Sequence, residues 1–141
     1  MKLSWSRFEK LVGECYARVL ATAPPAVRAH IERSNLQIVA LESPDAASLE
    51  ALDIDDPRDL LGQYLSGESE DLPMPDRVCV YRLGIESVSD DVEHAEEEIT
   101  LTLIHELAHH FGFEEDAMDE WEAEIYGDDP DSEDGAGDDR G

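Results

Sequence analysis

Lysine is almost missing from this chain. Only Lys2 and Lys10 occur, and with the arginines the basic residues number 10 against 36 acidic ones, a formal net charge of -26 over 141 residues. A surface this negative repels nucleic-acid phosphates and anionic lipid heads, so the expected partners include neither nucleic acid nor a membrane surface. The balance suits a protein kept soluble in high intracellular salt, where screening removes the self-repulsion. It suits equally an acidic interaction module or a decoy that mimics nucleic acid, and composition alone does not separate the three.

Cysteine is scarce too. Cys15 and Cys79 both sit inside apolar patterns, which makes them small buried hydrophobes rather than a disulfide framework. The opening MKLSWSRFEK lacks the apolar stretch of a secretory signal, so a reducing, cytoplasmic setting is the expectation. No run approaches the roughly 18 apolar residues of a membrane helix. A chain of this length buries roughly two thirds of its unfolded surface unaided, so a metal found here need not be structural.

What is present is a clear alternation of patterns. Trp5, Phe8, Leu11, Val12, Cys15, Val19 and Leu20 recur at helical spacing until Pro24 and Pro25, and predict an amphipathic opening helix. A short helix over 25–33 follows, then a strand over 36–41 that is expected to be central, and a weak helical pattern through Leu49 and Leu52 after Ser43-Pro44-Asp45. Two further strands are expected over 60–65 and 78–83, separated by an acidic loop and with the second ending at Gly84. Ala95, Ile99, Leu103, Ile104, Leu107, Ala108 and Phe111 line one face of the longest helix, which starts near Ser89-Asp90 and is expected to stop at Gly112. A shorter helical pattern through Ala117, Met118, Trp121 and Ile125 leads to Gly127. The remainder, 128–141, offers a core nothing larger than Pro130 and Ala136, and is expected to be an acidic disordered tail to a domain over 1–127. No internal repeat is present.

The chemistry concentrates on the long helix, which reads His105-Glu106-Leu107-Ala108-His109. A spacing of four puts both imidazoles on one face, one turn apart, where they can grip a single ion with Glu106 beside them. Such a pair binds zinc, and the glutamate serves as general base for a water that attacks a carbonyl. From the chain's own composition the five-residue pattern arises by chance about 0.02 times. Requiring Gly112, seven after His105, and an acid ten after it lowers the figure to about 0.0004, so coincidence is a poor explanation. Glycine tolerates the positive φ that ends a helix and turns the chain back, and this brings Glu115 forward as third ligand.

HELAHHFGFEED, preceded by VCVYRL, LLGQYLSG and the opening SRFEKLVGECYARVL, resembles the minimal zincins, small proteins of the zincin-like metallopeptidase kind, over about Trp5 to Trp121. The resemblance implies a compact α+β fold. In it a small mixed sheet of about three to four short strands packs against the N-terminal helix and the metal-binding helix. It also implies a zinc peptidase whose ligands are His105, His109 and an acid at the position of Glu115, with Glu106 as base. The family places an aspartate there; this chain has Glu115 with Asp116 next to it. A ligand from the following helix is the other scheme, with Glu120, Glu122 and Glu124 available and Asp128 and Asp129 further on.

Among the neighbours, His110 points about 100° from His109 and is read as a supporting or solvent-facing group. His30 and His94 are read as ordinary surface histidines. Met118 and Trp121 are core or a floor beneath the metal. Tyr81, Arg82 and Tyr126 are the residues able to stabilise an oxyanion. Either strand 60–65 or strand 78–83 is expected to border the cleft and pair with an extended peptide substrate. The expected function is therefore a zinc-dependent peptidase acting on a peptide or protein. A zinc-containing acidic binding or regulatory protein is the alternative.

Overall fold

Val78-Cys79-Val80-Tyr81 is the most completely buried stretch of strand, and the sheet is built around it. The computed structural model describes residues 1–67, 75–111 and Trp121. Its elements are α1 (Trp5–Thr22), α2 (Pro25–Arg33), β1 (Gln37–Leu41), α3 (Ala46–Ala51), a 3-10 turn (Pro57–Asp59), β2 (Gly62–Leu65), β3 (Arg77–Tyr81), α4 (Arg82–Val88) and α5 (Val92–Phe111). The fold is α+β, as expected.

The sheet order is β1-β3-β2, with β1 parallel and β2 antiparallel to β3. The first strand is therefore an edge, not the centre. Its half-exposed sequence fits an edge, whereas the apolar run of β3 needs cover on both sides. Register places Ile38, Val78 and Tyr64 in one row across the sheet and Ala40, Val80 and Gly62 in the next. Alternation sends these rows to one face, which packs on Phe8, Val12 and Cys15 of α1 and on Ile99, Leu103 and Leu107 of α5. Both cysteines are buried and free, and burial pushes both thiols up. They serve as the small hydrophobes expected of them.

Gly62 brings β2 unusually close to α5. A Cβ there would strike the Thr102 methyl and lie 2.8 Å from the Cys79 carbonyl oxygen. The helix itself starts where Asp91 accepts the His94 amide at 2.8 Å, a side-chain cap one residue beyond the expected Ser89-Asp90.

α4 is an element the pattern did not foretell, because Gly84 looked like the end of a strand. It lies instead within a helix, buried against the Leu60 carbonyl, where any Cβ would collide. Arg82 secures the first turn by binding Glu42, Glu86 at 3.0 Å and the Leu3 carbonyl at 2.8 Å. Among the described residues no helix is long and apolar enough to cross a membrane. The expected turn at Gly112, the short helix after it apart from Trp121, and the acidic tail lie outside the described residues.

Candidate metal centre

His105, Glu106 and His109 follow one another on the solvent-facing side of α5, opposite the buried stripe that runs from Ala95 to Ala108. Both imidazoles are exposed and Glu106 is half-buried. Four residues of helix separate the two rings by about 6 Å of rise on one face. Neither ring makes a hydrogen bond or ion pair with any described residue. This donor set suits zinc: two imidazoles without competing partners among the described residues, beside an accessible carboxylate. Among the described residues no third His, Cys, Asp or Glu joins them in a metal-binding group. Glu115, Asp116, Glu120, Glu122, Glu124, Asp128 and Asp129 lie outside the described residues, as do Met118 and Tyr126.

A cleft of about 340 Å³ opens beside the pair, lined by Leu60, Leu61, Gly62, Glu98, Leu101, Thr102, His105 and Glu106. One wall is α5 and the other is the beginning of β2, which settles which expected strand borders the cleft. The expected strand over 60–65 does so through Leu60, Leu61 and Gly62, from the sheet edge, while β3 is central. His109 sits one turn beyond the cleft's lining.

Two of the oxyanion candidates are engaged elsewhere. Tyr81 is buried and donates its hydroxyl to Gln63 Oε1 at 2.8 Å, and burial pushes its pKa up. Arg82 is held by Glu42 and Glu86 at the start of α4. Trp121 is core, 1% exposed, and donates its indole N–H to the Val19 carbonyl at 3.2 Å.

Two features escaped the pattern reading. His94 is only 33% exposed at its side chain and contacts Glu98 Oε2 at 3.2 Å, so it is not an ordinary surface histidine. His110 stacks on Tyr64 with ring centroids 4.0 Å apart, and its Nε2 lies 3.2 Å from the Tyr64 hydroxyl. That hydroxyl donates to Asp76, which also accepts the Gly67 amide at 2.8 Å. The end of α5 is thereby tied to both ends of the β2–β3 connection. Burial lowers the His110 pKa, with Asp76 pulling the other way.

The Tyr64 hydroxyl first, and then the Gly67 amide, hold the Asp76 carboxyl below its ordinary pKa. A group depressed on folding stabilises the fold above its unfolded pKa, and that contribution disappears as pH falls through the folded value. Tyr64→Phe is therefore expected to lower the urea midpoint at pH 7, by about 1 kcal/mol in stability, and to lose this difference from wild type in strong acid. A difference independent of pH points to packing alone.

No curated protein matches this sequence. The family model described as zincin-like metallopeptidase matches residues 33–125, which takes in the whole sheet, the cleft and the His105–His109 stretch of α5. That match covers about two thirds of the chain, and the protein belongs to the zincin-like metallopeptidase family.

Proposed function

We propose that the protein is a zinc-dependent peptidase in which His105 and His109 hold the metal, Glu115 completes the ligand set and Glu106 is the general base. The observation that carries this reading is the pair of imidazoles on one face of α5, unengaged among the described residues, with Glu106 between them in sequence and opening on a cleft. The chemistry a bound zinc supplies is Lewis acidity, which polarises a carbonyl and makes a water acidic near neutral pH.

Glu106 does the proton work. Its carboxylate takes the proton of the attacking water as the new C–O bond forms. It then delivers that proton to the departing amine as the C–N bond breaks, which leaves Glu106 ready for the next cycle. The outer edge of β2 aligns the substrate, because β2 pairs with β3 on one side only among the described residues and an extended peptide adds to such an edge. Leu60 and Leu61 supply apolar wall along the same edge.

The test is metal stoichiometry by mass spectrometry on untagged protein purified without added zinc. One zinc per chain is expected in the wild type, and His109→Ala is expected to carry less than a tenth of that while remaining folded, since His109 is exposed. A wild type that holds no zinc, and takes up none when it is supplied at neutral pH, removes the peptidase reading.

A further inference from the structure

We infer that the cleft beside Glu106 is a subsite for a basic side chain, lysine or arginine, of the peptide substrate, with the Glu98 carboxylate as its selector. This rests on the peptidase reading and adds to it a substrate class.

The cleft is apolar along most of its length. Leu60, Leu61 and Leu101 line it, and Thr102 turns its hydroxyl back onto the Glu98 carbonyl at 2.7 Å, so that its methyl faces Gly62. Glu98 supplies the charge at the end remote from His105. Seven residues separate Glu98 from His105, two turns of helix, so both lie on the same side of α5 about 10 Å apart along its axis.

An extended peptide advances about 3.3 Å per residue. A side chain that leaves the backbone one or two residues from the scissile bond must therefore cover the remaining distance to reach Glu98. A lysine does this with a four-carbon stem against the leucines and its ammonium at the carboxylate, and an arginine does so with its guanidinium.

Glu98 is prepared for that role. The Asp90 amide donates to His94 Nδ1 at 3.2 Å, which leaves Nε2 as the ring nitrogen that donates to Glu98 Oε2 at 3.2 Å. One carboxylate oxygen is thus held by His94, and the other, without a partner among the described residues, remains to meet a cation. The side chain is 25% exposed, screened enough to strengthen a charge contact and open enough to admit one. A chain of net charge -26 draws cationic peptides towards it before any contact forms.

The test uses octapeptides carrying a fluorophore and a quencher, with lysine, norleucine or glutamate placed in turn at each of the four central positions. Product masses locate the cleaved bond. At one position within two residues of that bond, lysine is expected to exceed norleucine by about fivefold to tenfold in kcat/KM, with glutamate lowest. Glu98→Gln keeps the shape and the acceptor for His94, and is expected to bring the lysine-to-norleucine ratio close to one. Glu98→Lys is expected to place glutamate above lysine. Cleavage without a lysine preference, or a preference that Glu98→Gln leaves intact, overturns the subsite while the peptidase reading stands. Failure of the peptidase reading looks different, because no peptide is then cleaved. In that event anisotropy titrations of the same labelled peptides without the quencher decide the cleft on their own. Lysine peptides binding more tightly than norleucine peptides, with the gap closed by Glu98→Gln, support it, and equal binding overturns it.

Discussion

Glu106→Gln is expected to keep one zinc per chain and to lower kcat on any cleaved peptide by about two to four orders of magnitude, the range a general base contributes. The substitution is nearly isosteric, and Glu106 makes no hydrogen bond or ion pair with a described residue, so its removal breaks no such contact among them. Stability should change by no more than about 0.5 kcal/mol. What changes is the ability to accept a proton, since a neutral amide cannot take one from water. Loss in kcat with little change in KM is the pattern of a group that acts in the transition state and not in binding. His109→Ala contrasts with it, because there metal and turnover disappear together. If Glu106→Gln keeps both zinc and full activity, another base performs the chemistry. If a zinc-loaded wild type and Glu106→Gln share an undiminished role in holding a partner, the acidic binding protein becomes the better reading.

The two long helices were legible because their apolar residues repeat over five turns or more, long enough for the period to declare itself. Phe8, Val12, Cys15 and Val19 on α1 and Ala95, Ile99, Leu103 and Leu107 on α5 are buried where the period placed them. β3 was legible as a strand for a different reason, a short continuous apolar run. Its central position depends on pairing with chain 12 or more residues away on either side, which no local pattern states. Gly84 misled for a related reason: glycine was read as a local stop, while its use is to let α4 meet the Leu60 carbonyl. The site divides in the same way. His105, Glu106 and His109 lie within five residues of one helix, so spacing alone brought them together. The facing wall at Leu60–Gly62 comes from a strand some forty residues earlier, and only the fold sets it there. Glu98 was in principle readable, since a residue seven before His105 shares its face, but nothing marked it among so many glutamates. The Tyr64, Asp76 and His110 contacts join three separate segments and carried no local signal.

Trp121→Ala is expected to cost about 3 to 5 kcal/mol, the range for removing a fully buried tryptophan. The side chain is 1% exposed and belongs to the same core as Val19 and Leu107. Its indole does more than fill space. The last four carbonyls of a helix lack intrahelical donors, and α1, which ends at Thr22, has no basic residue in its last turn to serve them. Trp121 donates to the Val19 carbonyl, so a group distant in sequence completes the end of α1. Trp121→Phe retains most of the apolar volume and removes the donor, and is expected to cost about 1 to 2 kcal/mol less the part recovered by the Thr22 hydroxyl, 3.4 Å from the same carbonyl. Both variants should be unfolded in urea with a chelator present, so that metal binding does not add to the native state. A stability for Trp121→Ala within 1 kcal/mol of wild type contradicts the burial of this side chain. The zinc affinity of the same two proteins then tests the ligand set. In sequence Glu115 falls between Phe111, the last residue of α5, and Trp121, whose own side chain is bound to α1. Loosening that anchor should weaken zinc binding in Trp121→Ala well beyond Trp121→Phe if Glu115 is the third donor. Equal zinc affinity in the two variants, despite unequal stability, places the third donor on a part of the chain that Trp121 does not hold.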